Sequence, residues 1–176
     1  MSARARDRAR AGAVTAAAVV AALGGTAPAQ SQETPPPAAE WRLETLDGSE
    51  VALSDLTGRP LVLNFWATWC APCVAELRSL ERLAASLDGR DVTFAMVSPQ
   101  DREAVAAWVR RRGYRLPFYV EGSPIPAAFG LEAVPTTWVL DAGGRVVLKH
   151  RGSVDWDRDD VRALLLGLTA TSDPDA

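Results

Sequence analysis

Cys70 and Cys73 are the only two cysteines in 176 residues, and His150 is the only histidine. Two sulfurs and one imidazole cannot complete a four-coordinate zinc site from one chain, and two cysteines cannot build a disulfide framework. What a Cys-x-x-Cys pair can do is open and close a single S–S bond, a two-electron step carried by thiol exchange. The segment Trp66-Ala67-Thr68-Trp69-Cys70-Ala71-Pro72-Cys73 joins a strongly apolar run to a helical stretch. At a helix start, the Cys70 sulfur meets free backbone N–H groups, and the macrodipole favours its thiolate. Cys73 then lies one turn further on, within disulfide reach. Pro72 fits the first turn, where no intrahelical bond is lost, and it stiffens the loop. A passive crosslink over so short a loop would add little stability, so the pair reads as catalytic.

Glu76 is the next residue singled out by spacing. On a helical wheel it falls about 60° from Cys73, inside the arc of Leu77, Leu80, Leu83, Ala84 and Leu87, whereas Arg78, Glu81 and Arg82 fall outside it. A carboxylate on an apolar stripe is costly without a partner or a task. Val134-Pro135-Thr136 is the third feature, with a proline that cannot donate to a sheet ladder standing at a strand start.

The elements that must position these residues follow from periodicity. Residues 41 to 46 and 50 to 53 flank Asp47-Gly48, a hairpin signal. Leu61-Val62-Leu63-Asn64-Phe65-Trp66 is nearly all apolar, which predicts a strand covered on both faces. A helix is expected over residues 71 to 87, a strand over 92 to 97, a helix over 101 to 112 and a strand over 116 to 120. A helical turn at 125 to 129, strands at 136 to 140 and 145 to 149, and a helix over 157 to 168 complete the order. Strands alternating with helices, then a hairpin and a final helix, predict an α/β domain with a central mixed sheet in three layers.

The run from Asn64 to Cys73, with Glu76 following, resembles the exported thioredoxin-like thiol-disulfide oxidoreductases of the TlpA/ResA type. The resemblance covers about residues 40 to 165. It implies a thioredoxin-like fold with helices on both faces of the sheet and an N-terminal β-hairpin extension. It also implies an acid at Glu76 held near the cysteines, and a cis Pro135 facing the disulfide. Val134, Pro135, Trp69 and Pro72 would then form the surface that receives a substrate segment. Asn64 stands where minimal thioredoxin carries a buried acid, so proton handling would pass to Glu76. One departure is Arg78, where many relatives have proline. Relatives reduce cysteines of apocytochrome c or of copper sites, and a membrane thiol-reductant protein recharges them. The expected activity is therefore dithiol reduction of protein disulfides, by a monomer whose only redox group is the Cys70–Cys73 pair and which needs no added cofactor or metal.

Composition agrees with this reading. Hydrophobic residues make up 48% and charged residues 23% of the chain, with a net charge of −3. Residues 30 to 176 carry 15 basic and 21 acidic side chains, the opposite of a nucleic-acid binder. Residues 1 to 29 pair Arg4, Arg6, Arg8 and Arg10 with an apolar stretch and Ala27-Pro28-Ala29, the pattern of a secretory signal peptide cleaved before Gln30, or of an anchor if uncleaved. This predicts the periplasm or another extracytoplasmic, oxidising location. Residues 30 to 39 read as a Pro-rich linker, 40 to 170 as one domain and 171 to 176 as a tail.

Two rival functions fit parts of the same set of residues. A thiol peroxidase would want Pro-x-x-x-Thr-x-x-Cys, but Ala67 stands three residues before Cys70. A copper metallochaperone would use Cys70, Cys73 and His150, although copper chaperones space their cysteines differently. Arg110-Arg111-Arg112 suits a helix C-terminus. Trp41, Trp108, Trp138 and Trp156 read as packing, and Trp66 and Trp69 as shaping the surface around the redox loop.

Overall fold

The computed structural model describes residues 40–170, so the expected signal segment, linker and tail lie outside the described residues. A seven-stranded mixed sheet forms the centre. Its strands are β1 (Arg42–Thr45), β2 (Glu50–Ala52), β3 (Leu61–Phe65), β4 (Thr93–Ser98), β5 (Phe118–Glu121), β6 (Thr136–Leu140) and β7 (Val146–Arg151), in spatial order β2-β1-β5-β4-β3-β6-β7. Pairs β3–β4 and β4–β5 are parallel, and every other neighbouring pair is antiparallel. β1 and β2 form an antiparallel hairpin that joins the sheet through β5.

Alternation along β3 divides the core. Val62, Asn64 and Trp66 face one side, and Leu61, Leu63 and Phe65 the other, with all five strand residues buried. The first side is covered by three long helices, α2 (Ala71–Ser86), α3 (Arg102–Arg112) and α4 (Asp159–Ala170), through Leu77, Leu80, Val105, Trp108, Val161 and Leu165. The second side is covered by shorter pieces: α1 (Leu53–Leu56), a 3-10 turn at Ala127–Phe129, and Trp41. This is the thioredoxin-like three-layer arrangement, with a thinner layer on one face. Four-residue α1 gives no periodic signal, which is why the sequence predicts no helix there.

Trp66 differs from its expected place. It is fully buried, not part of the surface around the loop, and packs against Trp108 and Phe118 with ring centroids 5.1 and 5.2 Å away. Its parity with Val62 and Asn64 turns it inward, under α3. Arg78 ties α2 to the end of α3: it pairs with Glu81 at 3.0 Å, donates to the Arg112 carbonyl and lies over the Tyr114 ring. Among the described residues, no helix is long and apolar enough to cross a membrane.

Candidate active site

β3 ends at Phe65 and α2 begins after five intervening residues, so the redox loop is held between a central strand and a 16-residue helix. Cys70 is the N-cap of α2, and the Cys73 N–H points at its sulfur from 3.2 Å, satisfying one of the helix's free donors. Pro72 sits exposed in the first turn, where its missing N–H loses nothing. Cys70 and Cys73 are joined by a disulfide, with an S–S distance of 2.08 Å and Cα atoms 5.3 Å apart. Cys73 is wholly buried and Cys70 is 5% exposed, so the outer sulfur is the one a partner can approach.

One predicted residue reaches this pair from a distant part of the chain. The Val134–Pro135 peptide bond is cis, and the Val134 carbonyl oxygen lies 3.8 Å from Cys70 Sγ. Trp69, 71% exposed, stands immediately before Cys70 as a large uncovered aromatic surface. His150 is elsewhere. It lies on β7 opposite Thr137, its ring edge-on to Trp156 at 5.6 Å. Among the described residues no group of three His, Cys, Asp or Glu side chains is arranged to hold a metal ion.

Glu76 is 2% exposed, as its place on the apolar arc predicts. Three donors reach its carboxylate. Asn64 Nδ2 donates to Oε1 at 2.8 Å, while Trp156 Nε1 and the Val154 N–H donate to Oε2 at 3.1 and 3.3 Å. Burial pushes the Glu76 pKa above the ordinary carboxylate range, and the bonds from Asn64, Trp156 and Val154 oppose that rise without cancelling it. The strand register places the first donor. Asn64 faces Thr137 directly across β3–β6, and its amide also donates to Thr137 Oγ1 at 2.8 Å. Both amide hydrogens are thus committed, fixing Asn64 as a donor to the acid. Ser79 supports the other side, its hydroxyl accepting from the Trp156 N–H at 3.0 Å.

Trp156 is the contact that the sequence did not disclose. It lies 80 positions from Glu76, and its indole N–H holds the acid in addition to packing in the core. No local spacing carries that information. Beside Glu76 a cleft of about 320 Å³, lined also by Ser79, Arg82, Ser153 and Asp155, opens towards solvent.

A cysteine pair capping a helix, a buried acid one turn behind it and a cis proline against the outer sulfur define a thioredoxin-like thiol-disulfide oxidoreductase. The chain belongs to the AhpC/TSA family, which it matches over residues 36–149. It is 31% identical over 119 residues to the thiol-disulfide oxidoreductase ResA of Halalkalibacterium halodurans, covering 66% of this chain and 68% of that one. Thioredoxin-like protein YneN of Bacillus subtilis is also 31% identical, over 66% of this chain and 71% of its own. Among solved structures, a thiol:disulfide interchange protein of the thioredoxin family from Chlorobium tepidum TLS superposes with a TM-score of 0.63 at 27% identity, covering 76% of this chain and 98% of that one.

Proposed function

We propose that this chain is an exported dithiol reductant of protein disulfides, working outside the cytoplasm as a monomer. Cys70, as thiolate, attacks one sulfur of a partner disulfide, and the partner's other sulfur leaves and takes up a proton. Cys73 then gives up its proton and attacks Cys70 Sγ. The partner's second thiol is released, and the Cys70–Cys73 disulfide remains. Two electrons have passed to the partner, and a membrane thiol donor must return them. Apocytochrome c and copper-site proteins, whose cysteines must be reduced before they can bind haem or metal, are the substrate class. Trp69, Pro72, Val134 and Pro135 receive the partner's extended segment beside Cys70. The cysteine pair is its own redox group and needs no further cofactor.

The observation that carries this reading is the buried Glu76 behind a buried Cys73. Cys73 must lose a proton to act, and one turn further along the same helix stands a buried carboxylate whose affinity for protons is raised by burial. The cleft beside Glu76 supplies its exchange with water. Direction follows from magnitudes. The helix dipole favours the Cys70 thiolate by up to ~2 kcal/mol, whereas a buried carboxylate nearby can shift a thiol by several units the other way. A less acidic thiol leaves less readily, which makes the disulfide harder to reduce and the dithiol a better reductant.

Trapping tests the roles. Cys73→Ser should accumulate mixed disulfides through Cys70, and accumulation in Cys70→Ser instead would reverse the assignment. The reduction potential tests direction: a value near ~−270 mV supports a reductant, and one near ~−120 mV makes the protein an oxidant.

A further inference from the structure

The loop between β3 and Cys70 is held by a side chain from a different element. Gln100 lies in the two-residue connection between β4, which ends at Ser98, and Asp101, the N-cap of α3. Its Oε1 accepts from the Thr68 backbone N–H at 2.6 Å, and its Nε2 donates to Thr68 Oγ1 at 3.0 Å. One side chain therefore grips both the main chain and the side chain of a single loop residue. Gln100 is itself steadied by Ser98, which is fully buried: the Gln100 N–H donates to Ser98 Oγ at 3.3 Å, and the Ser98 hydroxyl donates to Gln100 Oε1 at 3.3 Å. Asp101 accepts from the Ala104 N–H, so a capped helix and a central strand bracket the gripping residue.

The position gripped is the one with most leverage on Cys70. Residues 67 to 70 form a turn closed by the Cys70 N–H to Ala67 carbonyl bond at 3.1 Å, and Thr68 is its first corner. Upstream, the Trp66 N–H bonds the Val97 carbonyl at 3.0 Å and continues the β3–β4 ladder. With the disulfide closed, the Cys70–Cys73 bond also holds the loop. With the disulfide open, the Val74 N–H to Cys70 carbonyl bond at 3.0 Å still ties Cys70 to the start of α2, and the turn bond, the ladder bond and the Gln100 grip are what hold the loop that leads into it.

Building on the oxidoreductase reading above, we infer that Gln100 is a positioning residue for the redox pair: by fixing Thr68 it keeps Cys70 within reach of Cys73 when the pair is reduced or when Cys70 carries a partner. Preorganisation of this kind raises the effective concentration of one thiol towards the other. Ring closure is the step that uses it. Cys73 thiolate attacks Cys70 Sγ, the partner's thiolate leaves and is protonated, and no other oxidant or reductant enters.

The test is a redox titration against glutathione, together with the rate at which a Cys70–glutathione adduct closes to the internal disulfide. Gln100→Ala removes both bonds, and at the usual net worth of neutral hydrogen bonds the loss amounts to about tenfold in effective concentration. The adduct closes about tenfold more slowly, and the potential becomes less negative by about 30 mV, the two-electron equivalent of tenfold. Thr68→Val keeps the N–H and the branched shape but loses the hydroxyl, and gives a smaller loss of about threefold. Gln100→Glu still offers acceptors to the Thr68 N–H and hydroxyl and restores closure towards the wild-type rate. A Gln100→Ala protein that melts earlier but keeps the wild-type closure rate and potential would overturn the inference, as would failure of Gln100→Glu to restore closure. Should Gln100→Ala not fold, Thr68→Val decides by the same two readouts. A wild-type pair that did not titrate reversibly at all would instead defeat the functional reading itself.

Discussion

The two faces of the sheet each bury an apolar cluster and do different work. On the face under α1 and the 3-10 turn, Trp41, Phe65, Phe129 and Trp138 pack ring on ring, with centroid separations of 5.3 to 5.9 Å, and no charged group is buried among them. On the face under α2 and α4, Asn64, Thr137, Ser79 and Glu76 form a buried polar cluster immediately behind the disulfide. A carboxylate in such a place costs stability unless donors meet it, and three do. The contrast separates a face that is apolar packing alone from one that also holds an acid in a low-dielectric site.

The largest expected effect separates the faces by stability alone. Phe129 is fully buried and touches Trp41, Phe65 and Trp138. Phe129→Ala should cost about 3–5 kcal/mol in denaturant unfolding. The Cys70–Cys73 equilibrium with glutathione should stay within about twofold, because no donor to Glu76 and no contact of the redox loop has changed. A potential that moved with stability would show that the faces are not separable, and Phe129→Leu gives the same comparison at smaller cost.

How much of this was legible beforehand depends on the range of the interaction. The apolar run of β3 announced a doubly covered strand, and all five residues are buried. The wheel position of Glu76 announced burial, because Cys73, Leu77 and Leu80 lie on the same helix and share its period. The partners of Glu76 were not legible. Asn64, Val154 and Trp156 come from other elements, and strand register and loop path, not spacing, bring them together. Gln100 was hidden for the same reason, lying 32 positions from Thr68. Trp66 reads as a loop residue because its neighbours Trp69 and Cys70 belong to the loop, whereas its own parity belongs to the strand.

A smaller effect, readable only through pH, comes from the acid itself. Burial raises the Glu76 pKa, so the folded state holds its proton at pH values where the unfolded chain has released it. Its contribution to stability is complete below the ordinary carboxylate range and is lost as pH rises through the raised native value. Glu76→Gln has no such loss. Urea unfolding of the variant and the wild type should therefore diverge in the variant's favour from acid to neutral pH, while closure of the Cys70 adduct slows about 10- to 100-fold for want of a base. Parallel stability curves would mean that Glu76 ionises as freely folded as unfolded.

The smallest effect comes from comparing two buried indoles, one on each face. Trp156 gives its N–H to Glu76 Oε2, whereas Trp138 Nε1 meets no acceptor among the described residues and its ring instead lies under the Lys149 ammonium at 4.1 Å. Phenylalanine at either position keeps most of the packing and removes the N–H. Trp156→Phe takes a donor from a carboxylate, so the Glu76 pKa should rise further, and the cost should reach about 1–2 kcal/mol once Glu76 is ionised and be smaller at acid pH. Trp138→Phe removes a buried donor that has no partner, so the loss of ring area and of cation–π contact is offset and the net change should stay within about 1 kcal/mol at every pH. Unfolding measured for both variants across pH 4 to 8 checks the pair. Equal, pH-independent costs would show that the indole bond to Glu76 adds nothing beyond packing. A cost for Trp156→Phe that grows with pH, beside a flat one for Trp138→Phe, would place the ionisation of the acid on one face of the sheet only.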